Sequence, residues 1–228
     1  MATKKINVTT IKPEALKTMS NMNASYRNIL RINALYRDAI KTVKAEIDEI
    51  VKKRSKALEE GKTVDEVTAL YPRVELDAKL RKLEDKRTEE LKPYMDARKE
   101  CIGEVEDSLY AAYVYAWTKG NSAVVPKHAT VTVGKSVFDV DKSYNQAIKD
   151  FAVNLGLGNT DKDASVDKFA KAMLVRISGS VKDNSGDYIK VKNMSSFKEI
   201  VLLAFIQYAV SIGSLEETED YALILKKY

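Results

Sequence analysis

Apolar residues recur three and four positions apart from Tyr26 to Ala57, through Ile29, Asn33, Tyr36, Ile40, Val43, Ile47, Ile50 and Arg54. On an α-helix this spacing gathers all ten positions onto one stripe, the kind of seam on which another helix packs. The rhythm predicts a helix from about Ser20 or Asn23 to Glu60, ended by Gly61 as a left-handed cap. So narrow a stripe does not stabilise a long helix by itself. The helix needs the next helix of its own chain or another copy, which makes Tyr36, Ile40, Val43, Ile47 and Ile50 the expected partner or oligomer seam. Asn33 and Arg54 are polar at seam positions, where they either fix register or mark frayed ends. Before the rhythm, residues 1–22 have no clean period and carry Pro13, so they are expected to form an arm with at most short structure.

Thr63-Val64-Asp65-Glu66 has the form of a capping box and predicts a short helix ended by Tyr71-Pro72. A second long helix is expected from near Arg73. Leu76, Leu80 and Leu83 begin its apolar face, and Leu91, Met95, Ile102, Val105, Leu109, Ala112 and Ala116 continue it. The rhythm slips between Leu83 and Leu91, and Pro93 falls inside the pattern, which predicts a kink or break there. Two long helices with a short connection predict an antiparallel hairpin over residues 23–118. Tyr110, Tyr113, Tyr115 and Trp117 at its end are read as packing residues, with a binding surface as the alternative.

Beyond Trp117 and the Gly120-Asn121-Ser122 cluster the texture changes, and residues 119–228 read as a compact helical domain with one or two small β-hairpins. Thr130–Val133 and Val137–Val140 alternate as two strands about Gly134. Asp141 is the expected cap of a helix to Leu155, closed by Gly156, and Asp163 or Ser165 that of the next, closed by Gly179. Asp183-Asn184-Ser185-Gly186 predicts a turn before Tyr188–Val191. Ser196-Phe197-Lys198-Glu199 reads as a further capping box, opening a helix apolar nearly all round and therefore central. Ser214 and Glu217 form a similar pair, and Tyr221–Leu225 fits helix or strand. The expected fold is mainly α.

Composition narrows the chemistry. The chain of 228 residues has one cysteine, Cys101, and one histidine, His128. A zinc site needs three or four such ligands, and one cysteine forms no internal disulfide. No apolar stretch approaches a membrane span, and no apolar run follows the first lysines. The expected location is the cytoplasm, or a particle assembled there. His128 beside Lys127 has no Gly-x-Ser-x-Gly turn to serve, and Gly156-Leu157-Gly158 lacks the third glycine of a dinucleotide fingerprint. Asp183-x-Ser185-x-Asp187 and the series Asn159, Asp161, Asp163, Asp167 imitate a calcium loop but lack its sixth-position glycine and twelfth-position glutamate. Turn and cap roles are expected for both, as for Asp139-x-Asp141, while Glu216, Glu217, Glu219 and Asp220 read as a solvated first turn. No catalytic residue, metal ligand or cofactor is assigned.

Charge separates along the chain. Residues 1–60 carry thirteen Lys/Arg against seven Asp/Glu, whereas residues 61–117 carry ten against thirteen. That asymmetry favours contact between the two segments, and the rival reading is a nucleic-acid patch. Arg27, Arg31, Arg37, Lys41 and Lys44 are its candidates, although Asp48 with Lys52 and Glu49 with Lys53 read as ordinary helical ion pairs. The expected function is a non-enzymatic interaction or assembly protein, of the kind found among phage or mobile-element scaffolds, particle components and inhibitors. It presents its hairpin to a protein partner or a second copy. The alternative is nucleic-acid binding through the basic helix and the amino-terminal arm.

Overall fold

The computed structural model describes residues 11–118, 125–126, 128–133, 135–179 and 193–226, with residues 174–179 described by backbone alone. Its elements in chain order are α1 (Pro13–Glu59), α2 (Val64–Leu70), α3 (Val74–Gly103), α4 (Asp107–Thr118), β1 (Ala129–Val133), β2 (Ser136–Val140), α5 (Tyr144–Asn154), α6 (Ala164–Gly179), α7 (Met194–Ser211), β3 (Leu215–Glu217) and β4 (Leu223–Leu225). The fold is mainly α, with a long helical hairpin and two small antiparallel β-hairpins. Two compact units are distinguishable. Ser25–Ala97 forms one; the described residues up to Ala24, together with those from Arg98 onward, form the other. These limits differ from the divisions at 22/23 and 118/119 expected from local texture, because the second unit draws on both ends of the chain.

In the hairpin unit, Ile32, Tyr36 and Ile40 of α1 are buried among Leu80, Leu83, Leu91 and Tyr94 of α3. The helices run antiparallel. Tyr36 Oη donates to Glu90 at 2.6 Å and Lys44 pairs with Glu84 at 3.1 Å, so the partner position retreats as α1 advances. Positions 83, 87, 90 and 94 are spaced four, three and four apart, so the seam continues where the apolar rhythm slips. Arg87 and Glu90 simply occupy it with polar side chains. Pro93 does not break α3 either, which runs unbroken to Gly103. Proline removes one backbone donor, and the turns on both sides maintain the helix.

The short α2 forms as the capping box requires: Thr63 Oγ1 accepts from the Glu66 amide, and the Glu66 carboxylate accepts from the Thr63 amide at 2.8 Å. Arg54 then closes the turn, donating through Nε at 3.0 Å and Nη2 at 2.6 Å to the Tyr71 carbonyl at the end of α2. A cation on the last carbonyls of a helix satisfies an orphaned acceptor and meets the negative end of the dipole. Arg54 therefore has a specific structural task at its seam position.

The second unit is built around α7, which is buried on most sides through Phe197, Val201, Leu202, Phe205 and Ile206. Tyr113 stacks on Phe197 with ring centroids 4.7 Å apart, and Tyr110 and Tyr144 complete that cluster. Phe169 and Phe205 meet edge to face at 5.2 Å, joined by Phe151 and Tyr208. The tyrosines of α4 are thus packing residues. β1 pairs with β2 from Ala129↔Val140 to Val133↔Ser136, as the alternation predicts.

Several local expectations need correction. Residues from Pro13 to Met22 are helical: proline at the first helical position lacks only a donor that would be unpaired anyway. Ile11, Met19 and Met22 are buried, Ser20 Oγ accepts from the Leu223 amide, and Asn23 donates to Glu217 and to the Tyr221 carbonyl. This reach of about 200 residues along the chain explains why a local reading saw a loose arm. α5 is capped by Ser143 rather than Asp141, and α7 by Asn193 rather than Ser196. Glu199 pairs with Arg98 instead of closing a box, and Lys198, only 7% exposed, pairs with Asp107. The two ion pairs grip the chain on either side of the break between α3 and α4. Ser214 and Glu217 enclose a strand, and the tail is the β3–β4 hairpin with Leu215 facing Leu225. Within it Glu217 accepts from Asn23, so the acidic run is not a helical turn. The Gly120-Asn121-Ser122 cluster and the Asp183–Gly186 turn lie outside the described residues.

Candidate functional site

Of the seam residues, Tyr36, Ile40, Val43 and Ile47 are buried and Ile50 is half-buried. Ile40 and Tyr36 are covered by α3 of the same chain. The hydrogen bond to Glu90 raises the Tyr36 phenol above its ordinary range, because ionisation would set two negative charges side by side. The hairpin's own partner helix thus shelters the stripe at Ile32, Tyr36 and Ile40.

The basic candidates all lie on exposed positions of α1. Arg37, Lys41 and Lys44 line one shallow groove with Asn33, Ile40, Ala45, Asp48 and Arg87. Arg87 carries a buried Nε that has no hydrogen-bond partner among the described residues. Arg27 and Arg31 are not part of that lining. The neighbouring groove of α1 is lined by Asp38, Lys41, Thr42, Ala45, Glu46 and Glu49, so acidic residues flank the basic strip. Lys52 pairs with Glu49 at 3.3 Å, three positions back, rather than Asp48 and Glu49 each pairing four positions forward.

Around α2 the hairpin exposes apolar side chains. Val64 is 68% exposed, Leu70 54% and Val74 79%, while Val67 between them is buried. The backbone there is held by the capping box and by Arg54, so these side chains stand on an ordered turn. Sequence reading passed over them because short helices with one inward residue give no periodicity. Arg87 and Glu90 were missed because a polar residue at a seam position looks like an interruption.

Among the described residues, the carboxylates with calcium-loop spacing have other work, while Asp183 and Asp187 lie outside the described residues. Asp163 accepts from the amides of Asn159 and Thr160, and Asp161 accepts from Gln146. Asp167 lies between Lys149 at 2.9 Å and Lys171 at 2.8 Å, whose hydrogen bonds lower it from 3.8 to about 2. Among the described residues no three His, Cys, Asp or Glu side chains are grouped to hold a metal. A cavity of about 270 Å³ beside α4 is rimmed by Glu104, Glu106, Asp141 and Asp150 over Leu109 and Phe151. Lys142 enters it and pairs with Asp150 at 2.7 Å.

Cys101 is buried, its thiol 3.4 Å from the Thr18 carbonyl, and burial pushes it above the ordinary range. Such a thiol is packing material rather than a nucleophile. His128 is exposed, in the left-handed region at φ 64° before β1. Among the described residues no helix is long and apolar enough to cross a membrane. No protein-family model matches the chain, and neither a curated protein nor a solved structure does.

Proposed function

We propose that the chain is a non-enzymatic interaction or assembly protein that presents its helical hairpin to a protein partner. The observation that carries this reading is the α2 turn, where Val64, Leu70 and Val74 are exposed on a backbone fixed by Thr63, Glu66 and Arg54. Three exposed apolar side chains close together in sequence on one ordered turn favour a surface that another molecule covers, where a single one would not. Affinity capture from the native host with the full chain tests it. The triple variant Val64→Ser, Leu70→Ser, Val74→Ser should lose a partner that the unaltered chain retains, while its circular dichroism stays the same. Equal capture by both proteins contradicts the reading.

A second reading, nucleic-acid binding, is favoured by the convergence of Arg37, Lys41 and Lys44 with Arg87 in one groove. Phosphate contacts release counterions, so binding must fall steeply with salt. Replacing Arg27, Arg31, Arg37, Lys41 and Lys44 with glutamine should abolish a mobility shift. Binding that ignores salt, or survives those changes, rules it out.

A further inference from the structure

We infer that α1 also pairs with α1 of a second copy of this chain, antiparallel, through the face turned away from α3 and centred on Ala45. The inference extends the interaction reading above by naming a self-complementary surface distinct from the α2 turn. Helical geometry places Ala45 on the side of α1 opposite Tyr36, Val43 and Ile47, which face inward. Arg31, Ala34, Asp38, Lys41, Glu49, Lys52, Lys56 and Glu59 fall on the same outward stripe, and every one is exposed. A shallow groove follows its middle from Asp38 to Glu49.

The order of charge along that stripe is antisymmetric about Ala45. In an antiparallel pair with its two-fold axis at Ala45, each residue faces the one equally far beyond Ala45 in the other copy. Lys41 then faces Glu49, Asp38 faces Lys52, and Arg31 faces Glu59. The remaining stripe pair, Ala34 with Lys56, sets no like charges together. Because the contact is two-fold, each ion pair forms twice. Small residues at the axis, Ala45 with Thr42 beside it, allow close approach. Arg37 and Lys53 are a like-charged mirror pair, but each lies about 80° around the helix from the stripe centre, on the contact's edge.

The same order disfavours other occupants. Parallel pairing would set Lys41 against Lys41 and Glu49 against Glu49. A polyanion along this face meets Asp38, Glu46 and Glu49. The antisymmetry about Ala45 is what a second copy of the same helix requires. Lys41 forms no ion pair among the described residues, and Glu49 is held only by Lys52 within its own helix, so both are available to a partner.

Exposed ion pairs are individually weak and screened by salt, so the dimer is a low-salt species. Sedimentation velocity of the full chain should show dimer at about 0.01 M ionic strength and monomer at about 1 M. Lys41→Glu should weaken dimerisation at least about tenfold, since two attractions become two repulsions. The charge swap Lys41→Glu with Glu49→Lys restores opposite signs across the axis and should recover affinity to within about threefold of the unaltered chain. A chain that stays monomeric at low salt, or a double swap as weak as the single change, overturns the inference. A monomer that still captures its partner through the α2 turn sinks only the dimer. A dimer whose α2 turn captures nothing sinks only the proposed function.

Discussion

In the hairpin, Ile32, Tyr36 and Ile40 meet a single row of side chains from α3, and the seam also admits Arg54, Arg87 and Glu90. In the second unit, Phe205 lies between Phe151 and Phe169 with no exposed surface, and α7 is sheltered on most sides. A two-helix layer buries little, so it relies on register, caps and polar ties. The multilayered unit relies on packed volume. The difference is that the first region tolerates charge along its seam, whereas the second buries it only where it is paired, as Lys198 is by Asp107.

Truncating the thick core should have the largest effect. Phe205→Ala is expected to cost about 3–5 kcal/mol, since its pocket is closed on every side and cannot collapse fully. Urea unfolding followed by intrinsic fluorescence measures it. In the hairpin, Ile40→Ala should cost less, about 2–3 kcal/mol, because a one-row seam relaxes around the loss. Equal costs at the two sites would remove the contrast drawn here.

Arg54→Lys tests the polar ties. A lysine cannot reproduce the two-nitrogen grip on the Tyr71 carbonyl, and a loss of about 1 kcal/mol is expected. Hydrogen exchange should quicken in Val64–Leu70 and stay unchanged in α7. A uniform change through the molecule would show that Arg54 does not act locally.

Acid gives the mildest test. The folded Asp167 titrates near 2 rather than 3.8, so its contribution is fully present above about pH 4 and is lost as the pH falls through about 2. Asp167→Asn should flatten the stability profile of the second unit across that window. A profile unchanged by the substitution would mean that Lys149 and Lys171 do not stabilise the folded carboxylate.

The three-and-four rhythm of α1 was legible because apolar periodicity is a local property. So were the Thr63–Glu66 box and the first β-hairpin, which short-range chemistry determines. What escaped reading depends on distant partners. Pro13 looked like a breaker, but the helix it opens is pinned by the β3–β4 hairpin at the far end of the chain. Glu199 had the spacing of a cap and was drawn off by Arg98. For the candidate surfaces, the basic side chains of α1 were visible, while Arg87, which joins three of them, sits on another helix. The exposed apolar residues of α2 became noticeable only once the fold showed which neighbours leave them uncovered.

The most direct test of this account is hydrogen–deuterium exchange of the α1 amides from Tyr36 to Ile47 across dilution. It is best run at about 1 M salt, where contacts between exposed charges are screened. A seam closed by α3 of the same chain predicts protection that does not change between about 100 μM and about 0.1 μM. Protection that falls with dilution would mean that another chain covers the stripe, and the hairpin described here would be contradicted.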